Sequence, residues 1–151
     1  MKPVTSLTSL SAIAAAAARI HGTIVRTPLV DVSWHTGKRL WLKCENFQVT
    51  GAFKIRGAFN LMIQLPAEQR MRGVITYSSG NHGQAVAYVA RALGVPAVVV
   101  MPETAPAIKI KGARTLGAEV IFEGTTSTER KVRAEAEASA RGLTVVPPFD
   151  H

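Results

Sequence analysis

From residue 74 onward, short apolar runs alternate with longer stretches in which apolar residues recur every three or four positions. Val74–Tyr77, Ala97–Met101, Glu119–Phe122 and Thr144–Val146 are the short runs, and they predict strands. Ala97-Val98-Val99-Val100-Met101 is apolar throughout, the mark of a strand buried on both faces. Between the first two runs, Ala85, Val86, Val89, Ala90 and Leu93 fall on one face of a helix stopped by Gly94 and Pro96. A second helix is expected over about 106–116, ending at Gly117. A third opens at Thr126, three residues before Glu129 in the spacing of a capping box, and runs to about Ala140 with Gly142 after it. Strand and helix alternate three times over with short loops. That predicts an α/β fold with an open parallel four-stranded sheet, right-handed crossovers and flanking helices. Ligands bind along the edge that strand C-termini share in such a sheet. The loops at 78–83 and 123–126, with nearby Arg130, are therefore expected on one edge.

The first seventy residues are less regular. A short amphipathic helix is expected over about 9–21, closed by Gly22, and Thr27-Pro28-Leu29 is extended because a residue before proline avoids helical geometry. Leu40–Cys44 reads as a strand and 45–51 as a polar loop. From Phe53 the pattern turns helical, with Ile55, Phe59, Met62 and Ile63 on one face and Pro66 as the stop. Pro66 then opens a short polar turn or helix ending near Gly73. Lys54 falls in the first turn of the helix, where unpaired N–H groups and the helix dipole disfavour a cation. Partial burial beside Phe53 and Phe59 acts in the same direction and favours the neutral amine, the form that attacks a carbonyl. Taken alone, the stretch equally fits a surface lysine whose stem covers apolar side chains.

Composition narrows the choice. With 151 residues, 47% of them hydrophobic, the chain can bury a core. Its formal charge of +8 invites an acidic partner, but the lysines and arginines are dispersed. Arg130, Lys131 and Arg133 share a helix with Glu129, Glu135 and Glu137, which reads as a solvated face. Nucleic-acid binding is not expected, and anionic small molecules fit better. Cys44 is the only cysteine, which fits a reducing compartment such as the cytoplasm, and its place in a strand suggests a small buried residue. The four histidines show no zinc-type spacing with one another or with Cys44, so no metal site is expected. The alanine run 14–18 is too short and too soon followed by Arg19 to suggest a membrane span.

The loop Ser78-Ser79-Gly80-Asn81-His82-Gly83 joins a strand to a helix. Its glycines would let several N–H groups converge at a helix N-terminus, a natural seat for a carboxylate or phosphate, with Ser78, Ser79 and Asn81 as further hydrogen-bonding groups. An ordinary turn with Ser79 or Asn81 as N-cap, and His82 capping or packing, fits the same residues. No G-x-G-x-x-G or Walker pattern occurs, which argues against a dinucleotide or P-loop site.

Thr50-Gly51-Ala52-Phe53-Lys54-Ile55-Arg56-Gly57-Ala58 and Ser78-Ser79-Gly80-Asn81-His82-Gly83-Gln84-Ala85 together resemble the two signature motifs of threonine/serine dehydratases. These are pyridoxal-phosphate enzymes of fold type II, with serine racemase a near relative. The resemblance extends to Arg26-Thr27-Pro28-Leu29, Lys43–Gln48, Met101-Pro102-Glu103, Leu116-Gly117-Ala118-Glu119 and Pro148-Phe149-Asp150, nearly the whole chain. His82 stands where related β-replacing synthases carry threonine, which favours the dehydratase branch. The resemblance implies that Lys54 forms the Schiff base with pyridoxal 5'-phosphate and, once displaced by substrate, acts as the base on Cα. It implies Phe53 against the pyridine ring and Asn81 on the phenolic oxygen. Ser78, Ser79, Gly80, Asn81 and His82 would hold the substrate carboxylate through side chains and backbone. Ser79 falls where racemases keep a serine on the opposite face from the lysine. Arg130 stands where a racemase-like arginine reaches the carboxylate, although a solvent-facing helix arginine fits that position equally.

The expected reaction is loss of water from L-threonine or L-serine, giving a 2-oxo acid and ammonia. Serine racemase, 3-hydroxyaspartate dehydratase and, without catalysis, an anion-binding α/β module or an inactive gene fragment are the alternatives. By the same resemblance, residues 1–70 would begin a larger cofactor-binding domain, 71–147 would form a smaller α/β domain, and 148–151 would return to the larger one. Ala52 replaces a serine common before Phe-Lys. The family's glycine-rich phosphate loop and the residue meeting the pyridine nitrogen find no counterpart in these residues. The 151-residue polypeptide by itself is accordingly expected to bind the cofactor poorly and show no turnover, and the full-length enzyme to be a homo-oligomer acting on a small hydroxy-amino acid.

Overall fold

The buried apolar runs pair as parallel strands in a computed structural model that describes residues 8–149. Along the chain the elements are α1 (Leu10–Ile20), β1 (Leu29–Asp31), α2 (Ser33–Thr36), β2 (Trp41–Lys43), α3 (Lys54–Met62), α4 (Ala67–Arg72) and β3 (Val74–Tyr77). They continue with α5 (Asn81–Leu93), β4 (Ala97–Met101), α6 (Ala107–Thr115), β5 (Glu119–Phe122), α7 (Ser127–Arg141) and β6 (Thr144–Val145). The four-stranded sheet has the order β5-β4-β3-β6 with every pair parallel. The expected α/β fold is therefore the observed one. The capping box of Thr126 and Glu129 is also present, with both reciprocal hydrogen bonds formed.

The strand order locates the site. The chain winds in one direction through β3, β4 and β5, and α7 then carries it back to lay β6 on the other side of β3. Each face of the sheet buries its own side chains. Val99 and Met101 pack with Ala87 of α5 and Ala113 of α6. Ile75, Tyr77, Val98 and Val100 point the other way, toward Ala134 of α7. The reversal between β3 and β6 opens a crevice beyond their C-terminal ends, the place where ligands bind in sheets of this kind. A third cluster seats α3 there. Ile55, Phe59 and Met62 pack on Val86 and Val89 of α5 and on Val74 and Val146. Ile55 and Met62 are fully buried, each contributing about 1.5–3 kcal/mol.

The N-terminal segment differs from its expectation in three respects. Residues 29–31 and 41–43 pair as an antiparallel hairpin around α2, a pairing that neither strand advertises because both are exposed. Cys44 is half-buried rather than enclosed. Residues 45–51 are not all loop, since Glu45–Phe47 form a 3-10 turn. The segment is held to α3 by polar contacts. Gln48 both accepts from the Val25 N–H and donates to its carbonyl, and Arg56 donates to Glu45 and to the Val25 carbonyl.

Candidate active site

Helix α3 begins at Lys54, with Phe53 before it already in helical geometry and no side chain capping the end. The burial of Ile55 and Phe59 fixes the helix's rotation, and this aims Lys54 into the crevice. Its Nζ donates to the carbonyl of Pro148 at 2.8 Å. It also lies 5.3 Å from the ring centroid of Phe53 and 5.9 Å from that of Phe149. A half-buried amine is thus flanked by two flat apolar faces, both largely exposed.

The second wall is the β3–α5 junction. Helix α5 has Gly80 as its N-cap and no side-chain cap, so neither Ser79 nor Asn81 plays the capping role open to it. The backbone N–H groups of Asn81, His82 and Gly83 in its first turn carry positive potential with no side chain to satisfy it. Ser78 Oγ instead accepts from the Gly80 N–H at 3.2 Å, which shapes the turn. Gly80 and Gly83 bracket this turn. Neither adopts a positive φ. At Gly83 a Cβ would lie 2.8 Å from Val99 Cγ1, so this glycine lets α5 close on β4. Around Gly80 a Cβ would meet nothing within 4 Å.

His82 is buried, and its Nε2 donates to the Val146 carbonyl at 3.2 Å. Burial chiefly pushes its pKa down, the Val146 hydrogen bond opposes this, and the Lys54 charge adds a lesser lowering. The imidazole is therefore neutral, and its Nε2 proton is committed to the Val146 carbonyl just after β6. What His82 offers an anion is its backbone N–H. Arg130 departs from the solvated face read in the sequence. It is 7% exposed; one guanidinium nitrogen donates to the Thr125 carbonyl at 3.1 Å, and its buried Nε has no partner among the described residues. Its helix neighbours Lys131 and Arg133 do lie at the surface, paired with Glu135 and Glu137.

These groups meet. A cavity of about 250 Å³ is lined by Phe53, Lys54, Ser78–His82 and Arg130, together with Tyr77, Ser127, Pro148 and Phe149. All eight residues expected from the sequence are among them. A larger cavity of about 720 Å³ shares Phe53, Lys54, His82, Pro148 and Phe149 and extends along α3. Lys54 thus stands at the boundary of the two. Phe149 and the carbonyls of Val146 and Pro148 were given no role at the site beforehand, although Pro148-Phe149 belongs to a segment that carries the family resemblance. Only the strand order, which brings β6 beside β3, reveals them. Among the described residues no group of three or more His, Cys, Asp or Glu could hold a metal ion, and no helix is long and apolar enough to cross a membrane.

A primary amine between aromatic faces, next to an uncapped helix N-terminus and a buried arginine with a free donor, is suited to an aldehyde cofactor and a carboxylate-bearing substrate. The chain belongs to the pyridoxal-phosphate-dependent enzymes of fold type II: residues 20–151 match the family described as "Pyridoxal-phosphate dependent enzyme". The family's cofactor is pyridoxal 5'-phosphate, and the residues present fit its aldehyde end. The chain is 40% identical over 148 residues to an L-threo-3-hydroxyaspartate ammonia-lyase of Pseudomonas sp, covering 96% of this chain and 46% of that protein. It is 44% identical over 136 residues to threonine dehydratase 1 biosynthetic, chloroplastic, of Solanum lycopersicum, covering 88% of this chain and 22% of the relative. The structure of maize serine racemase superposes with a TM-score of 0.90 at 36% identity, covering 96% of this chain and 45% of that one. The chain thus spans less than half the length of these relatives.

Proposed function

We propose that the chain supplies the amine and substrate-carboxylate side of a pyridoxal-phosphate-dependent ammonia-lyase acting on L-threonine or L-serine. The observation that carries this reading is that Lys54 Nζ and the uncapped N-terminus of α5 line one cavity of about 250 Å³. When bound, the cofactor acts as an electron sink for negative charge at the substrate Cα. Lys54 would hold the cofactor by its aldehyde carbon and would serve as the base for the substrate's Cα proton. The N–H groups of Asn81, His82 and Gly83 orient the α-carboxylate, and Arg130 can add a charged donor. Phe53 and Phe149 keep water from the amine's flanks. Removal of water across Cα–Cβ gives an enamine, and addition of one water to its imine tautomer then releases the 2-oxo acid and ammonia.

Borohydride reduction of the cofactor-loaded protein should attach a reduced pyridoxal phosphate to Lys54, located by peptide mass. In the full-length enzyme, the Lys54→Ala variant should neither take the label nor release 2-oxobutanoate from L-threonine, unlike the unsubstituted enzyme. A label elsewhere, or turnover surviving in that variant, would refute the assignment. A second reading has its own support, since the unpartnered Nε of buried Arg130 suits a second carboxylate and therefore 3-hydroxyaspartate. Comparing kcat/KM for L-threonine and L-threo-3-hydroxyaspartate chooses between them. Ser79 is exposed in the same cavity, where a racemase would need an acid opposite Lys54. Ser79→Ala should abolish any change of product chirality while sparing loss of water, and equal loss of both would remove Ser79 from that role.

A further inference from the structure

Lys109 lies on α6, outside both signature motifs. Its Nζ donates to Asn81 Oδ1 at 2.8 Å and to Gln84 Oε1 at 3.1 Å. Both partners are neutral amide oxygens on the first turn of α5, and a carboxylate is not needed to explain the lysine's direction. Its base is well placed. At Gly112, three residues on, a Cβ would fall 2.4 Å from Gln84 Nε2. The glycine leaves the space in which the Gln84 amide lies, and that amide in turn presents its oxygen to Lys109.

An ammonium has donors only, so it selects the oxygen of an amide and leaves the nitrogen free. With Oδ1 held by Lys109, the Asn81 Nδ2 group has no hydrogen-bond partner among the described residues, and Asn81 lines the cavity that contains Lys54. We propose that Lys109 is a positioning residue of the cofactor site, which fixes the Asn81 amide with its NH2 as the donor offered to the cofactor's phenolic oxygen. Without Lys109 the amide can turn over and present a carbonyl oxygen to that anionic group, which repels it. The inference rests on the assignment of Asn81 to the phenolic oxygen and adds the reason its amide has one orientation.

The test measures dissociation constants of pyridoxal phosphate and of its 3-deoxy analogue, which lacks the phenolic oxygen, for the full-length enzyme and its variants. Lys109→Met is expected to weaken pyridoxal phosphate by about tenfold and leave the 3-deoxy analogue nearly unchanged. Lys109→Arg, which keeps a cationic donor, should retain most of the affinity. In an Asn81→Ala background, Lys109→Met should have no further effect, which general loss of folding would not mimic. If Asn81→Ala separates the two aldehydes and Lys109→Met does not, the role of Lys109 is overturned. If Asn81→Ala treats them alike, the Asn81 assignment itself fails.

Discussion

The contact between Glu45 and Arg56 clamps the segment before the active-site helix onto that helix, and its strength can be worked out. Arg56 Nε and a terminal nitrogen donate to the two carboxylate oxygens at 2.9 and 2.8 Å, and the Thr27 hydroxyl donates to one of them as well. The Arg56 hydrogen bonds chiefly, against the penalty of burial, bring the Glu45 pKa down from its ordinary 4.5 to about 2. A depression of that size corresponds to at most about 3 kcal/mol. Because 33% of the Arg56 side chain remains exposed to solvent, water screens the pair, and about 1–2 kcal/mol is the realistic contribution. The sign follows from linkage. The unfolded chain takes up this proton near pH 4.5 and the folded chain only near 2, so the contribution is full above 4.5 and disappears as pH falls through 2. Glu45→Gln should therefore lower stability by about 1–2 kcal/mol at pH 7, a difference that closes as both proteins are taken to pH 2. Urea unfolding at a series of pH values measures it, and subtracting the two curves removes the other titrating carboxylates. Parallel curves from pH 7 to 2 would refute the proposed strength of the clamp.

Three further outcomes are expected. Gly83→Ala pushes a methyl group into Val99 and should cost about 1–3 kcal/mol in thermal or urea unfolding, part of it recovered by adding Val99→Ala. His82 is held neutral by burial, so the unfolded chain binds its proton more readily. Stability should fall as pH drops below about 6.5 toward the lower native pKa, and His82→Asn should remove that step from the unfolding curves. Arg130→Met replaces a buried cation by an apolar chain of similar length and should leave stability within about 1 kcal/mol or raise it. The same change should weaken malonate, as a carboxylate probe, by about tenfold in calorimetric titration. Unchanged malonate binding would remove Arg130 from the site.

The sheet was legible because its strands are nearly continuous apolar runs and its helices end at Gly94, Gly117 and Gly142. The pairing of β6 with β3 was not, since Thr144 and Val145 look the same beside either edge of the sheet. With that pairing unread, Val146, Pro148 and Phe149 could not be placed around Lys54. Arg130 was misread for a different reason. Its charged neighbours suggest a wet helix face, yet Arg130, Ala134 and Ala138 repeat every four residues and form the stripe that α7 turns inward. The two small residues were the available signal. Lys109 left no signal in its own helix, because its partners lie 28 and 25 residues earlier.

The placement of β6 also sets when the site can be completed. The Lys54 amine meets a carbonyl 94 residues further along, and the His82 ring meets one 64 residues further along. During synthesis, α3 and the β3–α5 turn emerge long before the strand that floors them. Until Thr144–Val146 dock, β3 has an unpaired edge and the amine lacks its anchor. A chaperone that shields this edge while α7 folds would protect the step most exposed to misassembly.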